Sequence, residues 1–210
     1  MKKSLSNILS IILPNKKTNL FTICIIILGI ISGSIFLIII SDKDKSLVIT
    51  RITEFISKIN TNDINNIEAL KNSLIENSIY VLLMFLLSAS IVGIIINIFL
   101  TYLRGFIAGF TISSFILTYK YKGIIASLIY TFPTIIIKFI ITLLISTYSF
   151  TFTILLIKSI FNKTNNILVK KYIKKYFLIL GICLVLVIIT SISEAFLFPS
   201  IIKLVIKFFI

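Results

Sequence analysis

Apolar residues in this chain fill long unbroken runs, and short polar stretches set the runs apart. About 20 consecutive apolar residues cross a hydrocarbon core of ~30 Å as an α-helix rising ~1.5 Å per residue. The runs therefore predict five spans, over 20–40, 78–100, 103–119, 134–157 and 177–198. The hairpin from Ser78 to Tyr119 organises the rest. Its one internal charge is Arg104, so the turn between spans two and three is expected there. Gly105 and Gly109 follow Arg104, and Gly29 and Gly33 repeat the same small-xxx-small spacing in span one. Such pairs let helix backbones approach closely in lipid, where apolar bulk gains nothing over acyl chains.

Two runs need more than a length count. Span one is too long for a signal-peptide core, and no small-residue cleavage site follows it, so it reads as an uncleaved anchor. The run 123–157 is too long for one ordinary span and barely enough for two. Pro133 divides it, predicting an interfacial or re-entrant helix at 123–133 and span four after it. Span five ends at Pro199, and the tail 199–210 carries Lys203 and Lys207 on an apolar helix, as an interfacial segment does.

The polar stretches set the expected topology. Residues 1–19 hold Lys2, Lys3, Lys16 and Lys17 around a short apolar patch and are read as cytoplasmic or interfacial. The segment 41–77 contains six of the seven acidic residues. Ile52, Phe55, Ile56 and Ile59 lie at helical spacing there, predicting an extracytoplasmic amphipathic segment. Asn65 and Glu68 have the spacing of a capping box opening the next helix. This segment is either a solvated connector or a docking site. Between 158 and 176 stand Lys158, Lys163, Lys170, Lys171, Lys174 and Lys175 without an acid, which marks that loop as cytoplasmic. A multi-pass protein with its N-terminus, Arg104 and the lysine loop inside is self-consistent; six spans would put the lysines outside.

Composition agrees with the pattern. With 58% hydrophobic residues in 210, a water-soluble domain would expose far too much apolar surface. The expected class is an all-α polytopic integral membrane protein forming one membrane domain. The net charge of +14 sits beside the apolar runs and implies anionic membrane lipids as partners, with no nucleic acid. Cys24 and Cys183 both fall inside apolar runs, as small core-facing residues, and imply no disulfide framework.

Catalytic equipment is missing from the pattern. There is no His, which removes His-based triads and zinc motifs, and no phosphate-cradling glycine-lysine loop. No carboxylate pair lies within a span. No catalytic residue, cofactor or metal is expected, and the chain reads as a non-enzyme. Two ionisable residues do fall inside spans, Lys138 in four and Glu194 in five, each near the expected outer end. An unpaired charge at a helix centre costs about 3 kcal/mol on insertion scales. The two are read as an interhelical ion pair, as separate snorkelling side chains, or as a site for an ion, substrate or partner.

The chain resembles the stage II sporulation protein M family along nearly its whole length. The resemblance rests on Asn77 opening span two, on the run Leu103-Arg104-Gly105-Phe106 with Gly109-Phe110-Thr111, on Pro133, and on Ser193-Glu194-Ala195-Phe196-Leu197-Phe198-Pro199. One feature departs: much of the wider family has Pro-His-Gly with a Glu five residues after the proline, where this chain has Pro133-Thr134-Ile135 and a lysine at 138. The resemblance implies a membrane scaffold of an endospore former. Such a protein anchors the peptidoglycan hydrolases stage II sporulation proteins D and P at the sporulation septum, in the mother-cell membrane, for septal wall thinning and engulfment. Homo-oligomerisation is left open. A second class competes with this one. A small transporter or channel component would use Glu194 and Lys138 in a polar path, with the proline-broken run as a discontinuous helix. Scarcity of other buried polar groups is expected to disfavour it.

Overall fold

Helix α1, Lys16–Ile39, opens the part of the chain described by the computed structural model, which covers residues 16–61, 65–162 and 166–201. Most of the N-terminal segment, Lys163 and the tail lysines Lys203 and Lys207 lie outside the described residues. After α1 come α2 (Asp42–Thr61), α3 (Asn66–Leu87), α4 (Gly93–Asn162) and α5 (Asn166–Ile192), the last continuing through a π-helical turn at Ser193–Leu197. Among the described residues all regular structure is helical. Among the described residues five helical stretches are long and apolar enough to cross a membrane: Lys16–Ile39, Asn66–Leu87, Gly93–Ile129 (of which the part up to residue 119 precedes a reversal at Lys120), Pro133–Ile160 and Tyr172–Ile201.

The hairpin of α3 and α4 turns elsewhere than at Arg104. The reversal falls at residues 88–92, inside what the apolar run presents as span two, and Arg104 lies about three turns into α4. Hydroxyl groups make this turn. Ser88 Oγ donates to the Phe85 carbonyl at 2.6 Å, and Gly93 N donates to Ser90 Oγ at 2.9 Å. Gly93 passes so close to the Leu87 carbonyl that a Cβ would not fit. An apolar run shows how much chain can enter lipid; it does not mark a bend made by serines within it. Span two correspondingly starts earlier, at Asn66, where Asn65 Oδ1 caps the helix by accepting from Ile67 N and Glu68 N.

The expected interfacial helix at 123–133 is also absent as a separate element. Lys120 takes φ 51°, a conformation that L side chains rarely adopt, and divides α4 into limbs 93–119 and 121–162. The limbs run antiparallel, with Asn97 opposite Ser149 and Thr101 opposite Ser146. Gly123 packs onto the backbone of Phe115 and Ile116 just past the fold. Because the chain doubles back at one residue, the run 123–157 enters a single long limb, and Pro133 sits within it.

Helix α1 lies parallel to the first limb of α4, and the two glycine pairs interlock. A Cβ on Gly29 would strike the Tyr102 carbonyl, one on Gly33 the Phe106 carbonyl, one on Gly105 the Ile26 carbonyl and one on Gly109 the Ile30 carbonyl. Tyr102 OH donates to Ser32 Oγ at 2.7 Å and Ser34 Oγ donates to the Gly109 carbonyl at 3.3 Å along the same seam. Helix α2 is capped by Ser41, whose Oγ accepts from Asp44 N at 3.2 Å. It rests its apolar side, Leu47, Val48 and Ile52, over Phe110 and Ser114 of α4. The core gathers Val81, Met84, Ile141, Ile145, Tyr148, Tyr176 and Cys183 from three helices. Cys24, expected in the core, is exposed instead: α1 turns its glycine face inward, and Cys24 lies off that face.

Candidate functional site: a polar seam and its crevice

The helices are not lined by apolar side chains alone. Ser88, Asn97, Thr101, Thr142, Ser146, Ser149 and Thr153 are all fully buried. Contrary to the expected scarcity of buried polar groups, they form a seam along α3 and the two limbs of α4. Thr153 Oγ1 donates to the Ser88 carbonyl at 2.8 Å, and Ser149 Oγ to the Met84 carbonyl at 3.3 Å. Asn97 Nδ2 donates to Ser149 Oγ, and Thr101 and Ser146 hydroxyls meet at 2.9 Å. Polar atoms removed from water need such partners, and helices in lipid find them in one another.

Arg104 continues the seam at mid-length of the helices. It is 8% exposed. Its guanidinium stacks over Tyr80 with Cζ 4.5 Å from the ring centroid, and Nη2 donates to Asn77 Oδ1. Nη1 reaches Glu76 Oε1 at 3.5 Å, while Nε is buried without a partner. Asn77 in turn donates to the Ser73 carbonyl at 2.8 Å, so Ser73, Asn77 and Tyr80 present one face of α3.

Lys138 and Glu194 close the seam. Lys138 Nζ lies 2.6 Å from Glu194 Oε1, and Ser73 Oγ donates to Glu194 Oε2 at 2.6 Å. The two side chains are 21% and 20% exposed. Lys138 lies further along its helix than the sequence suggested, several turns beyond the fold at Lys120. Pro199 explains how Glu194 is aimed. Without an N–H, Pro199 cannot donate to the Ala195 carbonyl, and the preceding turn widens: Phe198 N–H bonds the Ser193 carbonyl in π-helical register.

Between these groups is a crevice of about 330 Å³, lined by Ser73, Glu76, Arg104, Thr134, Lys138 and Glu194 with apolar walls of Ile107 and Phe139. Arg104, Lys138 and Glu194 are thus brought together, and Pro199 acts one turn away. Gly29, Gly33, Gly105 and Gly109 form a separate packing seam, and Pro133 lies one residue before the crevice wall. Ser73, Glu76, Asn77 and Tyr80 were not singled out as members of a site. A signal existed in the spacing: Ser73, Asn77 and Tyr80, like Thr142, Ser146, Ser149 and Thr153, recur at helical intervals.

The model of the family described as Stage II sporulation protein M matches residues 20–199, a stretch that runs from α1 to Pro199 and includes the whole seam. No curated protein and no solved structure matches the chain.

Proposed function

This chain belongs to the stage II sporulation protein M family, and from that membership we propose that it is a non-enzymatic scaffold that anchors and localises peptidoglycan hydrolases. As a membrane protein of sporulation, it would hold the hydrolases stage II sporulation proteins D and P at the septum for wall thinning and engulfment. Its N-terminus would be cytoplasmic, with α2 on the wall side of the cell membrane. The observation that carries this reading is α2 itself, a 20-residue helix with charged and apolar sides. It stands outside the five long helices and leaves Arg51 and Glu54 exposed to a partner. Crosslinking and affinity purification from sporulating cells tests it. Recovery of the two hydrolases with the intact chain, and their loss when α2 is replaced by a flexible linker, supports the scaffold. Equal recovery with and without α2 removes α2 from that role, and no recovery from either sinks the scaffold.

The polar seam favours a second reading, a small transporter or channel component. Buried hydroxyls, an arginine and an ion pair in series are what a polar path requires. Flux of protons or small ions into proteoliposomes, abolished by Glu194→Gln, would establish it; tight vesicles would dismiss it.

A further inference from the structure

The crevice holds four charged side chains that balance in sign but are unequally engaged. Both oxygens of Glu194 are occupied, one by Lys138 and one by Ser73. Arg104 is the less firmly neutralised cation: Nη2 donates to the uncharged Asn77, and Nε is buried without a partner and sealed from the crevice. Its one acidic neighbour, Glu76, is reached only at 3.5 Å and has a side chain 67% exposed at the crevice rim. Lys138 uses one of its three donors on Glu194. Two cations therefore line a cavity in which the Glu76 carboxylate is held at only 3.5 Å. Beside them the wall is apolar, formed by Ile107, Ile135 and Phe139, and Ile107 is 54% exposed, so the crevice opens on the outer surface of the bundle.

We propose that this crevice binds the phosphate of an anionic phospholipid, with Arg104 and Lys138 holding the phosphate oxygens and Glu76 displaced from Arg104. A guanidinium fork and a neighbouring ammonium match phosphate geometry and charge. Displacing Glu76 costs little once a phosphate replaces its charge beside Arg104, because the contact is long and the Glu76 side chain is already 67% exposed to water. The acyl chains lie over Ile107 and the adjoining apolar surface, which a free anion does not need. The site is independent of the scaffold role, since it uses neither α2 nor a protein partner.

Thermal unfolding of the full chain in a neutral detergent tests it, titrated separately with dioctanoyl phosphatidylglycerol, dioctanoylglycerol and inorganic phosphate. A saturable rise in Tm with phosphatidylglycerol, and none with dioctanoylglycerol, is expected. Lys138→Gln should weaken the midpoint concentration roughly tenfold, as loss of one charged contact does. Glu76→Gln, which keeps a polar side chain beside Arg104 at an exposed position, should tighten it several-fold by removing the competing carboxylate. An equal rise with inorganic phosphate alone would assign the site to a soluble anion and overturn the lipid assignment. Equal responses to both lipids, or an unchanged or weaker midpoint in Glu76→Gln, would overturn the site altogether.

Discussion

The ammonium of Lys138 lies 2.6 Å from the carboxylate of Glu194, joining the second limb of α4 to the π-helical turn that ends α5. Neither side chain reaches this position by its own helix alone. Lys138 arrives because the chain reverses at Lys120, and Glu194 because Pro199 widens the turn before it. Ser73 on α3 holds the second carboxylate oxygen, so three helices meet at one acid.

Removing one member of this pair leaves the other charge poorly hydrated. Lys138→Met and Glu194→Gln are each expected to lower stability in detergent, and the double variant to recover part of the loss. A coupling of about 1–2 kcal/mol is expected, below that of a fully buried pair because both side chains keep some exposure. Strictly additive losses would show that the two residues act separately. Loss of function at normal protein levels in Glu194→Gln, without rescue by Lys138→Met, would point instead to a partner or ion held by Glu194.

The glycine seam predicts a sharp positional contrast. Gly29→Leu and Gly105→Leu should reduce accumulation of the protein and destabilise it by roughly 1–3 kcal/mol, since the added side chain meets a backbone carbonyl. Gly181→Leu is the control, because nothing lies within 4 Å of a Cβ there. Comparable accumulation of all three variants, measured by immunoblot, would mean that helix approach is not set by these glycines.

The position of the α3–α4 turn is open to chemical labelling. With Cys24 and Cys183 replaced by alanine, Ser57→Cys should react with an impermeant thiol reagent in intact cells. Ala89→Cys should react only after permeabilisation, being exposed in the turn at the opposite end of the bundle. If the turn were at Arg104, Ala89 would lie within a span and stay unlabelled under both conditions. Reversed labelling of the two sites would invert the proposed orientation.

Within the seam, single hydroxyl contacts should contribute modestly. Ser146→Ala removes the 2.9 Å contact with Thr101 and is expected to cost about 0.6 kcal/mol, the average for interhelical hydrogen bonds in membranes. Denaturation in mixed micelles measures it. A loss several times larger would mean that the buried hydroxyls act as one cooperative network.

The class of this protein, its five long apolar helices and the glycine pairs were legible in the sequence, because insertion into lipid depends on length and hydrophobicity summed along a run. The capping residue Asn65 was legible for a similar reason, since its contacts reach only two or three residues onward. What the runs did not contain was the place where the chain bends. Residues 88–92 read as part of a span until Ser88, Ser90 and Gly93 are seen to satisfy and crowd the backbone there. Moving that turn carried Arg104 from an expected loop to mid-length of the bundle and brought Glu76 and Asn77 to it. A hydropathy run is a sum over neighbours in sequence, whereas each charge in this site is stabilised by a group from another helix. Only the tertiary structure decides those pairings, because in a poorly hydrated interior a polar side chain takes its partner from whichever helix stands beside it.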